Sequence, residues 1–197
     1  MNVLERPASA LAAFIARGQF ADIAVSSVLG AGTPRGELTF DDIAARVSLR
    51  YLDDGYVASA KKMSAVYIAV AAFENMLREL ISSMMLEAKK DNWWEHCVSL
   101  EIRRRAQKRM DEEKEVRWHK SRGLSPIFYT DIDDLPNIIQ QNWDAFEHTF
   151  QNIEWLRQIV RSVKTSRNVI MHSGELSLDD IERVGVNIRD FVRQVGV

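Results

Sequence analysis

At 197 residues the chain has room for one ordinary domain with a short extension. Hydrophobic residues make up 46% and charged residues 27%, with only 9 Gly and 4 Pro, which excludes collagen-like, low-complexity and wholly disordered chains. Twenty-six basic residues against 28 acidic ones leave a net charge of -2, so bulk charge does not announce a nucleic-acid binder.

The single cysteine, Cys97, excludes an intramolecular disulfide and an all-cysteine metal site, and suits a reducing compartment. Apolar stretches between Met1 and Leu29 are interrupted by Glu5, Arg6, Arg17 and Asp22, and no uncharged apolar run reaches the length of a membrane span. The expectation is a cytoplasmic protein with no membrane association.

Taken in chain order, a modest helix is expected over residues 8–24, followed by a loop at Gly30-Ala31-Gly32-Thr33-Pro34-Arg35-Gly36. Thr39 and Asp42 have the spacing of a capping box, ahead of a short helix through Arg46. The strongest periodicity runs over residues 57–89. Ala60, Met63, Val66, Tyr67, Val70, Phe73, Met76, Leu77, Leu80, Ile81 and Met84 recur at three-and-four spacing, which predicts one long amphipathic helix.

A charged helix is predicted over residues 99–118. Asp131, Asp133 and Asp134 then favour a helix start with Pro136 in its first turn, and the pattern breaks near residues 142–144. Ile153, Leu156, Ile159, Val160, Val163 and Ile170 mark the next helix, expected to end at Gly174 as a left-handed cap. Ser177 with Asp180 caps a last helix through Ile181, Val184, Ile188, Phe191, Val192 and Val195. The fold class is therefore all-α, a bundle of long antiparallel helices with extra short ones. Residues 1–50 read as an N-terminal helical extension and 51–197 as the main helical domain.

Near the end of the penultimate helix stands Arg167-Asn168-Val169-Ile170-Met171-His172-Ser173-Gly174. At about 100° per residue, Asn168 and His172 lie about 40° apart on one face. The set offers a fixed cation, an orienting amide and an imidazole that can move a proton. Those groups suit RNA phosphodiester cleavage: His172 can take the proton of a ribose 2′-hydroxyl while Arg167 stabilises charge on the phosphorane-like transition state. Neither step asks for a metal or another cofactor. The same residue types also occur as plain helix-end caps.

The order Arg167-Asn168-x-x-x-His172 at the end of a penultimate helix resembles the HEPN superfamily (higher eukaryote and prokaryote nucleotide-binding domain). The likeness extends to the subfamily found at the C-terminus of a eukaryotic nuclear mRNA-surveillance endonuclease and in stand-alone bacterial proteins. It is carried by Ala72-Phe73-Glu74-Asn75-Met76-Leu77-Arg78-Glu79-Leu80-Ile81, by Trp93-Trp94, and by Phe128-Tyr129-Thr130-Asp131-Ile132-Asp133-Asp134-Leu135. Asn142-Trp143-Asp144-Ala145-Phe146 and Leu176-Ser177-Leu178-Asp179-Asp180-Ile181-Glu182-Arg183 continue the series.

The resemblance implies a metal-independent endoribonuclease that works as a homodimer, with Arg167, Asn168 and His172 as the catalytic set in a shared cleft. It also implies a role as a toxin or antiviral defence effector; a further reading makes the chain half of a toxin-antitoxin pair, kept silent by an inhibitory or regulatory protein partner. The alternative is a non-catalytic module that binds RNA, a nucleotide or a protein partner.

Two further features bear on the site. Glu74 lies one turn from Arg78 and either pairs with it or orients Arg167 or His172. Residues 101–122 carry Arg103, Arg104, Arg105, Lys108, Arg109, Arg117, Lys120 and Arg122, with Trp118 and His119 interleaved. This pattern suits RNA backbone contact and base stacking, or simply a solvated helix face. Trp93, Trp94, Trp143 and Trp155 read as core. His96, His119 and His148 lack the helical spacing of metal ligands.

Overall fold

The computed structural model describes residues 38–196; the helix expected over residues 8–24 lies outside them. The described residues form α1 (Phe40–Arg46), α2 (Asp54–Lys89), α3 (Trp93–Cys97), α4 (Leu100–Glu115), α5 (Asp134–Gln141), α6 (Trp143–Phe146), α7 (Ile153–Met171) and α8 (Leu178–Val195). Single 3-10 turns stand at Leu49–Tyr51 and Pro126–Tyr129, and no strand occurs among the described residues. The all-α class read from periodicity holds. Contacts group the described residues into two compact units, residues 38–61 with 195–196, and Lys62–Gln194.

In the first unit, the Thr39–Asp42 spacing does what it predicts. Asp42 N–H donates to Thr39 Oγ1 at 3.2 Å and Thr39 N–H to Asp42 Oδ2 at 3.0 Å, so two otherwise orphaned donors are satisfied. Asp53 starts α2 in a related way, its Oδ1 accepting from Gly55 N–H and Tyr56 N–H.

The core of the second unit follows the three-and-four stripe of α2. Met63, Val66, Val70, Phe73, Leu77, Leu80, Ile81 and Met85 are all buried. Tyr67 and Ala60 depart from the predicted stripe and are exposed. Phe191 of α8 meets Phe73 edge-on at 5.0 Å between ring centroids, and Phe150 stands 6.2 Å from Phe191. Leu135, Ile138 and Ile139 of α5 and Leu156, Val160 and Val163 of α7 complete the interior. Trp93 and Trp94 are buried as expected, whereas Trp143 and Trp155 are only half-buried.

The end of α7 corrects one expectation. His172 is the C-cap, and the left-handed residue is Ser173 (φ 62°), not Gly174. Ser173 N–H reaches the Ile170 carbonyl at 3.0 Å and Gly174 N–H the Val169 carbonyl at 2.8 Å, the two bonds of a Schellman motif. Glycine is needed at 174 for a different reason. A Cβ there would lie 2.7 Å from Val169 Cγ1 and 2.9 Å from the Val169 carbonyl oxygen.

Two opposite stability effects are expected from this motif. Gly174→Ala should destabilise by about 1–3 kcal/mol through crowding, whereas Ser173→Gly should stabilise by about 1 kcal/mol by relieving the left-handed backbone. Urea denaturation of the two variants checks both signs.

Candidate active site

Two buried groups on α2 form the floor of the site. Glu74 and Arg78 lie one helical turn apart, both side chains nine-tenths buried, with Arg78 Nη2 donating to Glu74 Oε2 at 3.1 Å. Arg78 also reaches Asn75 Oδ1 at 3.4 Å and the Thr130 carbonyl at 3.5 Å. From α7, Arg167 brings Nε to 2.8 Å from Glu74 Oε1. That approach is off the N–H axis, so Oε1 gains a counter-charge without a directed hydrogen bond, and Arg78 Nε is likewise unpartnered.

The two roles that the sequence left open for Glu74 are thus both filled, one by each carboxylate oxygen. Two guanidiniums share one carboxylate, so the junction keeps a net positive charge. Arg167 is 40% exposed at its side chain, and its two terminal nitrogens bond to no described residue. Pinned through Nε and free at both Nη atoms, the guanidinium is arranged to meet an oxyanion in bidentate fashion.

A cleft of about 980 Å³ opens over this floor, lined by Glu74, Asn75, Arg78, Arg167 and Asn168 among others. Asn168 is exposed and lines both this cleft and a second, shallower groove. His172 is exposed at the tip of α7 and its imidazole makes no hydrogen bond to a described residue. It lies outside the cleft lining. Arg167 and Asn168 are therefore brought together with Glu74, while His172 stands free at the helix end.

The predicted RNA-contacting set divides sharply. Arg105 pairs with Asp134 at 2.5 Å and also with Glu101, and the Asp134 carboxylate holds its guanidinium more firmly protonated. Arg109 donates to the Tyr129 carbonyl at 2.6 Å and to Asp131 at 2.5 Å. Arg122 pairs with Glu113 at 2.5 Å and lies over the Tyr129 ring. Arg103 caps the Val98 carbonyl at 3.0 Å, and Lys108 stands 3.7 Å from Glu112.

Arg103, Arg105, Arg109 and Arg122 are engaged within the fold, whereas Lys108 only faces exposed Glu112 along its own helix, and α4 serves to pin the segment that leads into α5. Arg104, Arg117 and Lys120 have no ion-pair partner among the described residues, and Trp118 beside them is 86% exposed. Arg105 and Arg122 also line the cleft.

The sequence reading left three cations of α7 unassigned. Arg157, Arg161 and Lys164 line the second groove, of about 440 Å³, together with Asn137 and Asn168. Their spacing with Asn168, at 157, 161, 164 and 168, keeps to one helical face and could have been read from the sequence.

No group of three His, Cys, Asp or Glu side chains among the described residues is arranged to hold a metal ion. No helix among them is long and apolar enough to cross a membrane. A family model described as Swt1-like HEPN matches residues 69–196, about two-thirds of the chain, and the protein belongs to that family and so to the HEPN superfamily. No curated protein and no solved structure matches the chain.

Proposed function

We propose that this protein is a metal-independent endoribonuclease in which Arg167, Asn168 and His172 act on a scissile phosphate held at the tip of α7. The observation that carries the reading is Arg167 itself, fixed through Nε by buried Glu74 and free at both terminal nitrogens on a cleft wall. An anion receptor oriented by a buried counter-charge needs less reorganisation as charge develops, which is the property transition-state stabilisation requires.

In the proposed step, His172 takes the 2′-hydroxyl proton and the 2′-oxygen attacks phosphorus. The bond from phosphorus to the 5′-oxygen breaks, and that oxygen is protonated as it leaves. The products are a 2′,3′-cyclic phosphate and a 5′-hydroxyl. Arg167 neutralises the phosphoryl oxygens and Asn168 orients one of them. Glu74 acts as a positioning residue. A homodimer would set two such helix tips on one shared cleft, and the second copy's imidazole would protonate the leaving oxygen.

The relation to the nuclear mRNA-surveillance endonuclease, the cytoplasmic setting, the defence or toxin role and an inhibitory protein partner belong to the same proposal. So does the division into an extension over 1–50 and a catalytic domain over 51–197. Incubation of the purified protein with end-labelled RNA in excess EDTA tests the activity. Cleavage at the same rate with and without EDTA is expected; cleavage that appears only when a divalent metal is added would overturn the mechanism.

A second reading has one observation in its favour. His172 lies outside the cleft lining, as it would in a module that binds RNA, a nucleotide or a protein without turning over. Tight binding with no product after prolonged incubation is its signature.

A further inference from the structure

The second groove lies between α5 and α7, which pack directly against one another. Its lining carries three basic residues, Arg157, Arg161 and Lys164, against one acidic residue, Asp133. Arg157 is engaged with Glu154 and Asn137, and Lys164 with Asp133. Arg161 differs: it is exposed and has no acidic partner among the described residues. The groove shares Asp133, Asn137, Lys164 and Asn168 with the larger cleft, so the two form one continuous channel.

The helical geometry gives this channel a direction. At about 100° per residue, positions 157, 161, 164, 168 and 172 all fall within an arc of about 80° on α7. The cationic stripe is thus collinear with Asn168 and His172, and Arg167 stands beside its end on the side facing the cleft. From residue 157 to residue 168 the stripe is about 16 Å long at 1.5 Å per residue. Directly packed helices have axes about 8–10 Å apart, so the groove is a surface furrow along their line of contact, narrower than the body of a duplex.

We infer that the α5–α7 groove is a single-stranded RNA track, in which Arg161 holds a phosphate between Arg157 and Lys164, whose charges are shared with Glu154 and Asp133, and delivers the strand to Asn168, Arg167 and His172. This inference rests on the ribonuclease reading and extends it: it assigns the substrate strand a path along α7 rather than along α4. Arg161 supplies the unshared charge. Asn137, at the groove wall, keeps one amide N–H beyond the one it gives to the Asp133 carbonyl, a donor that does not depend on sequence, so the track grips backbone and reads no base.

Fluorescence anisotropy with a labelled single-stranded RNA of about 12 nucleotides tests it, using full-length protein carrying His172→Ala to prevent turnover. Adding Arg161→Glu should weaken binding about tenfold. It should also lower the magnitude of the log Kd against log salt slope by about 0.7, the value for one phosphate contact on a single strand. Arg193→Glu, the same charge change on the exposed face of α8, serves as the control and should alter neither. Binding and slope that match the control overturn the track while leaving the ribonuclease reading intact. A parent protein that binds no RNA overturns that reading, and the track with it. A duplex of equal length bound as tightly, and weakened equally by Arg161→Glu, overturns the single-strand assignment.

Discussion

Replacing His172 with alanine should reduce RNA cleavage by about 10²–10⁴-fold, the usual worth of a positioned proton-transfer group, without a change in thermal stability. The two halves of that expectation come from the same geometry. His172 is exposed at the C-cap of α7, and its imidazole bonds to no described residue, so no described contact is lost with it. The cap itself is held by backbone bonds, from His172 N–H to the Asn168 carbonyl at 3.1 Å and from Ser173 N–H to the Ile170 carbonyl at 3.0 Å. Those bonds survive truncation of the ring. Kinetics paired with a melting curve check both halves, and a variant that loses activity only by unfolding would count against a catalytic role.

The second large effect is expected at Glu74, and it is of the opposite kind. Glu74→Gln removes the only carboxylate paired with Arg78 among the described residues, in a place where both side chains are nine-tenths buried. An uncompensated buried charge costs about 3–5 kcal/mol, so the variant should melt well below the parent protein. It should also release Arg167 Nε from its 2.8 Å contact.

On folded Glu74→Gln protein, assayed below its lowered transition, kcat should fall by up to about 10²-fold through misplacement of the guanidinium. KM should hold, because the groove cations that grip the strand are untouched. A fall in stability alone, with kcat retained, would reduce Glu74 to a structural residue. The kcat-against-KM split separates the two.

Much of this fold could be read along the chain because the governing interactions are local. Thr39 with Asp42 and Ser177 with Asp180 are capping pairs three residues apart, and both form: Asp180 Oδ2 accepts from the Ser177 hydroxyl at 2.6 Å. The Ser177 hydrogen bond holds the Asp180 carboxyl below its ordinary range. Its share of stability is therefore present above that range and lost as pH falls from it through the lowered folded-state value. The buried stripe of α2 was equally plain, since a single helical period set it.

Pairing across distance was legible only as an alternative, or not at all. Glu74 divides its two oxygens between Arg78, four residues on, and Arg167, more than ninety residues on, and helix spacing speaks only of the first. The cations of α4 invited an RNA-binding reading, yet Arg105 and Arg109 find Asp134 and Asp131 on a segment 29 and 22 residues downstream. Composition cannot show that such charges are already neutralised. The stripe Arg157-Arg161-Lys164-Asn168 was in plain view at helical spacing, but it meant nothing until α5 closed the opposite wall of the groove.

The central claim is that Arg167 and His172 break RNA through its own 2′-hydroxyl. Mass analysis of the products tests it most directly, using an RNA oligonucleotide and a copy bearing a single 2′-deoxy sugar at the cut position, both in EDTA. The account predicts a 2′,3′-cyclic phosphate on the 5′ fragment of the all-ribose strand and no cut at the deoxy position. Cleavage at the deoxy sugar, or fragments ending in a 3′-hydroxyl and a 5′-phosphate, would contradict it.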